Sequence, residues 1–174
     1  KRKKILHNIH KSNVLISSVL WNEVLEEVAL DYPEVRVIHM LVDAAATHLC
    51  LNPCQFDVMV MENMFGDILS DLAGGLVGGM GMASCAEIGD DVGLFQAAHG
   101  SAPDIMGQDK ANPLAAILSG ALMLDYLAER ADQSALADAA DLIDRAVDAG
   151  FAANRLRPME FGGDMGTKAV TEEV

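Results

Sequence analysis

The chain has 174 residues, of which 51% are hydrophobic and 22% charged, with a formal net charge of −14. That length holds one ordinary domain or two small lobes around a buried core, and the hydrophobic share excludes a disordered chain. The acidic balance argues against nucleic acid and against an anionic membrane surface as partners.

The basic start Lys1-Arg2-Lys3-Lys4 runs almost at once into a predicted strand, with no apolar signal-peptide stretch, and reads as a cut edge. Ile5 to His10 is predicted as that first strand. Ile16 to Leu30 is predicted as an amphipathic helix, with Leu20, Val24 and Val28 on its dry side and Glu23, Glu26 and Glu27 on its wet side. Asp31-Tyr32-Pro33 ends it. Val35 to Leu41, rich in β-branched residues, is a second strand, after which Asp43 caps a short helix that stops before Asn52-Pro53. Phe56 to Met61 is a third strand, apolar throughout after Asp57 as a strand buried on both faces should be. A helix from Phe65 to about Val77 follows. This alternation predicts an α/β fold with parallel strands and right-handed crossovers, in which ligands gather beyond the carboxyl ends of the strands.

Gly74, Gly75, Gly78, Gly79 and Gly81 then crowd a bend, which sets the expected lobe boundary between residues 1–77 and 78–174. The least polar stretch, Leu72 to Ala86, is too short and too glycine-rich for a membrane span. Leu94 to Pro113 reads as mostly irregular. Asn112-Pro113 is a helix start, with Asn at the N-cap and Pro at the first helical position, and that helix should run to about Arg130. Ser134 to Ala149 is a more polar helix stopped by Gly150, and a short last helix is expected from Thr167. Cys50, Cys54 and Cys85 form no zinc pattern and read as reduced thiols in a cytoplasmic protein. His7, His10, His39 and His48 lack metal spacing and read as structural or exposed.

The most informative run is Glu62-Asn63-Met64-Phe65-Gly66-Asp67-Ile68-Leu69-Ser70-Asp71. Asp67 and Asp71, four residues apart, lie one above the other on a helix, where like charges repel unless a cation sits between them. Asp43 offers a third carboxylate beyond the second strand, and an all-oxygen set of this kind suits Mg²⁺ or Mn²⁺. Taken singly, each residue also has a plain reading. The acids can favour a helix start, Asp43 can be an N-cap, Lys11 a surface lysine, and His99 a partner for loop backbone.

Four stretches stand in the order and spacing of one family: His10-Lys11-Ser12-Asn13-Val14, Val42-Asp43-Ala44-Ala45, the run from Glu62 to Asp71, and His99-Gly100-Ser101-Ala102-Pro103-Asp104-Ile105. On them the chain resembles the C-terminal half of a β-decarboxylating dehydrogenase, the family of isopropylmalate, isocitrate, homoisocitrate and tartrate dehydrogenases. The resemblance implies an α/β, isopropylmalate/isocitrate dehydrogenase-like fold of parallel-rich sheets flanked by helices, incomplete as a two-lobed molecule. Residues 1–77 would be the dimer-side lobe bearing metal and substrate, and 78–174 the C-terminal part of the cofactor lobe.

The implied reaction is oxidation of a malate-type 2-hydroxy acid by NAD, followed by loss of its 3-carboxylate as CO₂, with Mg²⁺ or Mn²⁺ as Lewis acid. By the same likeness Lys11 takes the hydroxyl proton, and Asp43, Asp67 and Asp71 hold the metal. Family members are dimers, so Lys11 and Asp43 of one chain would complete a site with Asp67 and Asp71 of the other. His99, Gly100, Ser101, Ala102, Pro103, Asp104, Ile105 and Asn112 match the cofactor loop. Asp104 followed by Ile105 favours NAD, because a carboxylate accepts from a ribose hydroxyl and repels a 2′-phosphate. Departures are Gln96 where a Glu is usual and Ala97-Ala98 where Pro-Val is frequent. The family's substrate arginines and proton-donating tyrosine lie upstream of the matched stretches, so the resemblance leaves the particular acid open. It also leaves a rival: a non-catalytic regulatory or structural subunit that dimerises with a full-length dehydrogenase.

Overall fold

The computed structural model describes residues 3–174, so Lys1 and Arg2 of the basic start lie outside the described residues. The chain divides into two compact units, the first ending at Leu76 and the second comprising Val77–Val174.

In the first unit, β1 (Ile5–His10), β2 (Arg36–Leu41) and β3 (Val58–Val60) form a parallel sheet in the order β2-β1-β3. The central position of β1 explains why its last four residues are buried although only one is aliphatic. Alternation assigns those residues to two faces. Ile9 joins Ala45, Leu49 and Leu69 in a core under α2 (Val42–Leu51) and α3 (Asn63–Leu76), while His7 meets the Phe56 ring edge-on at 4.7 Å. Asn8, on the other face, is fully buried and fully engaged. Its Oδ1 accepts Trp21 Nε1–H at 2.7 Å, and its Nδ2 lies 2.7 Å from Asn22 Oδ1 and 3.0 Å from His39 Nδ1. Trp21 and Asn22 belong to α1 (Ile16–Ala29), so a polar tie fixes that helix to the sheet.

The dry side expected for α1 is not buried. Leu20, Val24 and Val28 remain 61%, 51% and 52% exposed, and Ser18 is the buried residue of the helix. Together with Leu6, Val37 and Val58 from the sheet they line an open apolar trough of about 740 Å³. The helix meets β1 through the Asn8 network and bonds Lys11, just after the strand, through Ser18, while its hydrophobic stripe borders the trough. Asp43 is not a cap as expected: α2 begins at Val42, its N-cap is Leu41, and Asp43 lies inside the first turn. Glu62 provides the corresponding service for α3, with Oε2 accepting Met64 N–H at 3.0 Å.

The second unit contains a hairpin where the segment from Leu94 was expected to be mostly irregular. Strands β4 (Ser84–Ile88) and β5 (Gly93–Ala97) pair antiparallel. Side chains of α4 (Leu114–Ala131) add hydrogen bonds to this ladder. Ser119 Oγ lies 2.6 Å from the Gln96 carbonyl oxygen and accepts Cys85 N–H at 3.4 Å, while Arg130 donates to the hairpin-tip carbonyls of Gly89, Asp90 and Asp91. The start of α4 lies one residue later than its sequence implies: Pro113 is the N-cap and Leu114 the first helical residue, while Asn112, one place before the cap, still accepts Leu114 N–H at its Oδ1 at 3.2 Å. The next helix, α5 (Ser134–Ala152), runs through Gly150 instead of stopping at it. A Cβ there would approach Leu156 Cδ1 to 2.6 Å, so this glycine serves close packing, not termination. A short α6 (Thr167–Glu173) closes the unit, whose core is Leu114, Val147, Leu156 and Val170. Among the described residues no helix is long and apolar enough to cross a membrane.

Candidate functional site

The parallel sheet brings three strand ends to one edge. Lys11 follows β1 directly, and its peptide is held from both sides: Lys11 N–H donates to Ser18 Oγ at 3.2 Å, and its carbonyl accepts Val14 and Leu15 N–H at 3.0 and 2.8 Å. Asp43 follows β2. The two side chains meet there, with Lys11 Nζ 2.8 Å from Asp43 Oδ1. Lys11 keeps 23% of its side-chain exposure and Asp43 keeps 68%, so the pair stands at the surface with the lysine the more covered partner. The Lys11 hydrogen bond holds the Asp43 carboxyl below the usual carboxylate range, helped by peptide N–H groups at the start of α2.

Asp67 and Asp71 follow β3 on α3. Both are exposed, on the side opposite the buried Phe65 and Leu69. Among the described residues neither carboxylate takes part in a hydrogen bond or ion pair, and no three His, Cys, Asp or Glu side chains gather as a metal set within the chain. Two free carboxylates on one helical face supply hard oxygen donors to a divalent cation and leave most of its positions open. The donor chemistry therefore fits Mg²⁺ or Mn²⁺, with the third expected ligand assigned by resemblance to another chain.

Behind Lys11, His10 is buried and its ring faces that of His39 edge-on at 5.8 Å. Burial first, and His39 second, lower the His10 pKa, and its Nδ1 accepts Ser12 N–H at 3.3 Å. For His7, burial and then Arg36 lower the pKa against an opposing effect of Asp57.

In the second unit, His99, Gly100, Ser101, Ala102, Ile105 and Asn112 line one cavity of about 610 Å³. Pro103 and Asp104 sit in the exposed 3-10 turn Pro103–Ile105 and are not among the lining residues. The turn enters through Ala102 in the left-handed region at φ 41°, and the Asp104 carbonyl accepts Gln108 Nε2–H at 2.7 Å. His99 is exposed, with Nδ1 2.9 Å from the Gly100 carbonyl oxygen. Gln96, the departure noted in the sequence, donates from Nε2 to Glu87 across the hairpin at 3.0 Å. The cavity has residues that sequence reasoning missed, chiefly Gly81, Lys110, Glu160 and Thr167. Peptide groups, the apolar faces of Ile105, Met106 and Met159, and the Lys110 cation suit a flat heterocycle with a ribosyl phosphate attached.

The family profile described as isocitrate/isopropylmalate dehydrogenase matches residues 1–174. An isocitrate/homoisocitrate dehydrogenase of Thermus thermophilus is 47% identical over 173 residues, covering 99% of this chain and 49% of its own length. A 3-isopropylmalate dehydrogenase of Desulfitobacterium hafniense is 57% identical over 125 residues, covering 72% of this chain and 36% of its own. The crystal structure of isocitrate dehydrogenase from Methylococcus capsulatus superimposes with a TM-score of 0.84 at 41% identity, over 97% of this chain and 49% of that one. The chain thus spans about half the length, or less, of the relatives it matches.

Proposed function

The chain belongs to the isocitrate/isopropylmalate dehydrogenase family, and from that premise we propose that it is the C-terminal half of an NAD-dependent, Mg²⁺- or Mn²⁺-dependent dehydrogenase. Its substrate class is the malate-type 2-hydroxy acid, which is oxidised at C2 and then loses its 3-carboxylate as CO₂. Residues 1–77 are read as the dimer-side lobe with the metal and substrate groups, and 78–174 as the C-terminal part of the cofactor lobe, in a cytoplasmic homodimer.

The observation that carries the reading is the Lys11–Asp43 pair at the carboxyl edge of the sheet. A surface ion pair of this kind contributes little to stability, so its placement at the ligand-binding edge is better explained by chemistry. Lys11, as the neutral amine, takes the hydroxyl proton of the substrate at Nζ, and the Asp43 carboxylate orients that nitrogen and holds the ammonium group that results. Asp67 and Asp71 face outward toward a partner chain, where they and that chain's copy of Asp43 hold the cation. When bound, the cation supplies Lewis acidity and NAD the hydride acceptor. The loop from His99 to Ile105, with Asn112, binds the adenosine part through its peptide groups. A non-catalytic subunit is the second reading, favoured by the half-length match and disfavoured by the intact Lys11–Asp43 pair, which a structural copy has no need to keep.

The test joins this chain to the unmatched half of a relative and follows NADH formation with isopropylmalate, isocitrate, tartrate and malate in the presence of Mn²⁺. Turnover with one of these acids is expected from the joined protein and none from the 174-residue chain alone. Lys11→Met in the joined protein should lower kcat by about 10²–10⁴-fold, the usual contribution of a proton-transfer group. Unchanged turnover by that variant would refute the assignment.

A further inference from the structure

Three stretches distant in sequence wall the cavity of the second unit, and one carboxylate joins them. Glu160 Oε1 accepts Gly81 N–H at 3.0 Å, while Oε2 accepts Asn112 Nδ2–H at 2.9 Å. Asn112 passes the constraint on, because its Oδ1 accepts Leu114 N–H at the start of α4. Both ends of the Asn112 amide are therefore engaged within the protein, and the residue is only 7% exposed. The carboxylate sits so close to the backbone that a Cβ on Gly79 would come within 2.6 Å of Oε1, and one on Gly81 would overlap Oε2. Gly79, at φ 123°, and Gly81 leave the room that this contact needs.

Donor and acceptor inventory makes the arrangement specific. Two N–H groups from different segments reach residue 160, each at its own oxygen, so both side-chain oxygens act as acceptors there. A carboxylate has them. An amide of the same shape would turn its NH₂ group toward one of the two donors. The Asn112 amide, with its NH₂ toward Glu160 and its oxygen toward Leu114, is fixed in one of two otherwise equivalent orientations.

We propose that Glu160 is a positioning residue of the cofactor cavity. By clasping Gly81 and Asn112 it sets the peptide edge at Lys110–Asn112 against which the adenosine part of the cofactor rests. This inference rests on the reading of the cavity as the NAD site, and it explains why Asn112 lines that cavity with its side chain already committed elsewhere.

The experiment uses the full chain in four forms: unaltered, Glu160→Gln, Asn112→Asp, and the two together. NAD affinity is measured by calorimetry and hydrogen exchange at the Gly81 and Leu114 amides by NMR, with each form checked as folded at the working temperature. Glu160→Gln should weaken NAD binding by about fivefold to tenfold, the effect of one or two lost charge-assisted hydrogen bonds, and should speed exchange at Gly81. Asn112→Asp sets two carboxylates against each other and should weaken binding by a similar factor. The double form rebuilds all three bonds. Its new amide at position 160 donates to the new carboxylate at position 112 and accepts from Gly81 N–H, and that carboxylate still accepts from Leu114 N–H. It should recover affinity and exchange protection to within about twofold of the unaltered chain. Glu160→Gln binding and exchanging like the unaltered chain, or a double form no better than either single one, overturns the proposal. If neither the unaltered chain nor the same chain joined to the unmatched half of a relative binds NAD, the cofactor reading fails by itself, while exchange across the four forms still decides whether Glu160 sets this edge.

Discussion

At the carboxyl edge of the three-stranded sheet the functional groups stand at the surface, with one ion pair between Lys11 and Asp43 and two unengaged carboxylates on α3. In the second unit the cavity walls are tied together by side chains from within the chain, Glu160 to Gly81 and Asn112, and Asn112 to Leu114. The contrast separates two ways of building a site. A cavity that must fit one invariant molecule can be pre-organised at the cost of internal hydrogen bonds. On the proposed reading, the sheet edge would close around a cation and a substrate, and its charges stay solvated until another chain supplies the missing donors. Desolvating those carboxylates beforehand, with no cation present, would cost several kcal/mol.

The comparison holds only if the units stand on separate cores, and the most forceful way to break it is Leu114→Ala. Leu114 is fully buried at the centre of the second core and its N–H ends the Glu160–Asn112 chain of bonds. The variant should lose about 3 kcal/mol in the unfolding transition of the second unit, and NAD binding with it. Calorimetry that shows the first unit destabilised equally would mean one cooperative body, not two independent ones.

A somewhat smaller loss is expected from Asn8→Ala in the first unit. It strips partners from Trp21 Nε1 and Asn22 Oδ1 beneath α1. About 2 kcal/mol should disappear from that unit's urea unfolding free energy, with the NAD affinity proposed for the second unit's cavity unchanged. Loss of NAD binding in this variant would join what the comparison separates.

The smallest effect is one of pH. His7 and His10 are buried with lowered pKa values. As pH falls through the ordinary histidine value of about 6.5, the unfolded chain takes up protons before the folded one does. The stability that neutral His7 and His10 allow is fully present above that pH and is lost progressively below it, until the lowered folded values are reached. Urea midpoints of the first unit at pH 7.5 and pH 5.5 should differ in that sense; equal midpoints would show that neither ring is held neutral.

The repeated strand–helix order of the first unit was legible because its punctuation is chemical. Asp31-Tyr32-Pro33 and Asn52-Pro53 interrupt helical patterns at places where the backbone has to turn, whereas the apolar run after Asp57 marked a strand but not its setting: β3 is the short edge strand Val58–Val60, with Val58 exposed, and is not buried on both faces. The site edge was legible for the same reason, since parallel strands deliver their carboxyl ends to one side. What escaped the sequence is long-range. The hairpin of β4 and β5 is held by Ser119 and Arg130 of α4, which local alternation does not encode. Gly150 looks like a helix stop until Leu156 is seen to need its space. Glu160 carries no local signal, because the peptide it binds is that of Gly81. Asn8 reads as a polar interruption in a strand, and only the placement of Trp21 and His39 around it accounts for its burial.

Trp21 is the sole tryptophan of the chain, and it forms part of the trough wall while donating to Asn8 in the central strand. Its indole is therefore a built-in optical gauge for one place only, the contact between the first helix and the sheet. Emission excited at the red edge of the protein band reports the hydration of that groove free of any signal from the second unit. An apolar molecule settling in the groove would shift the colour of this fluorophore without a label being attached.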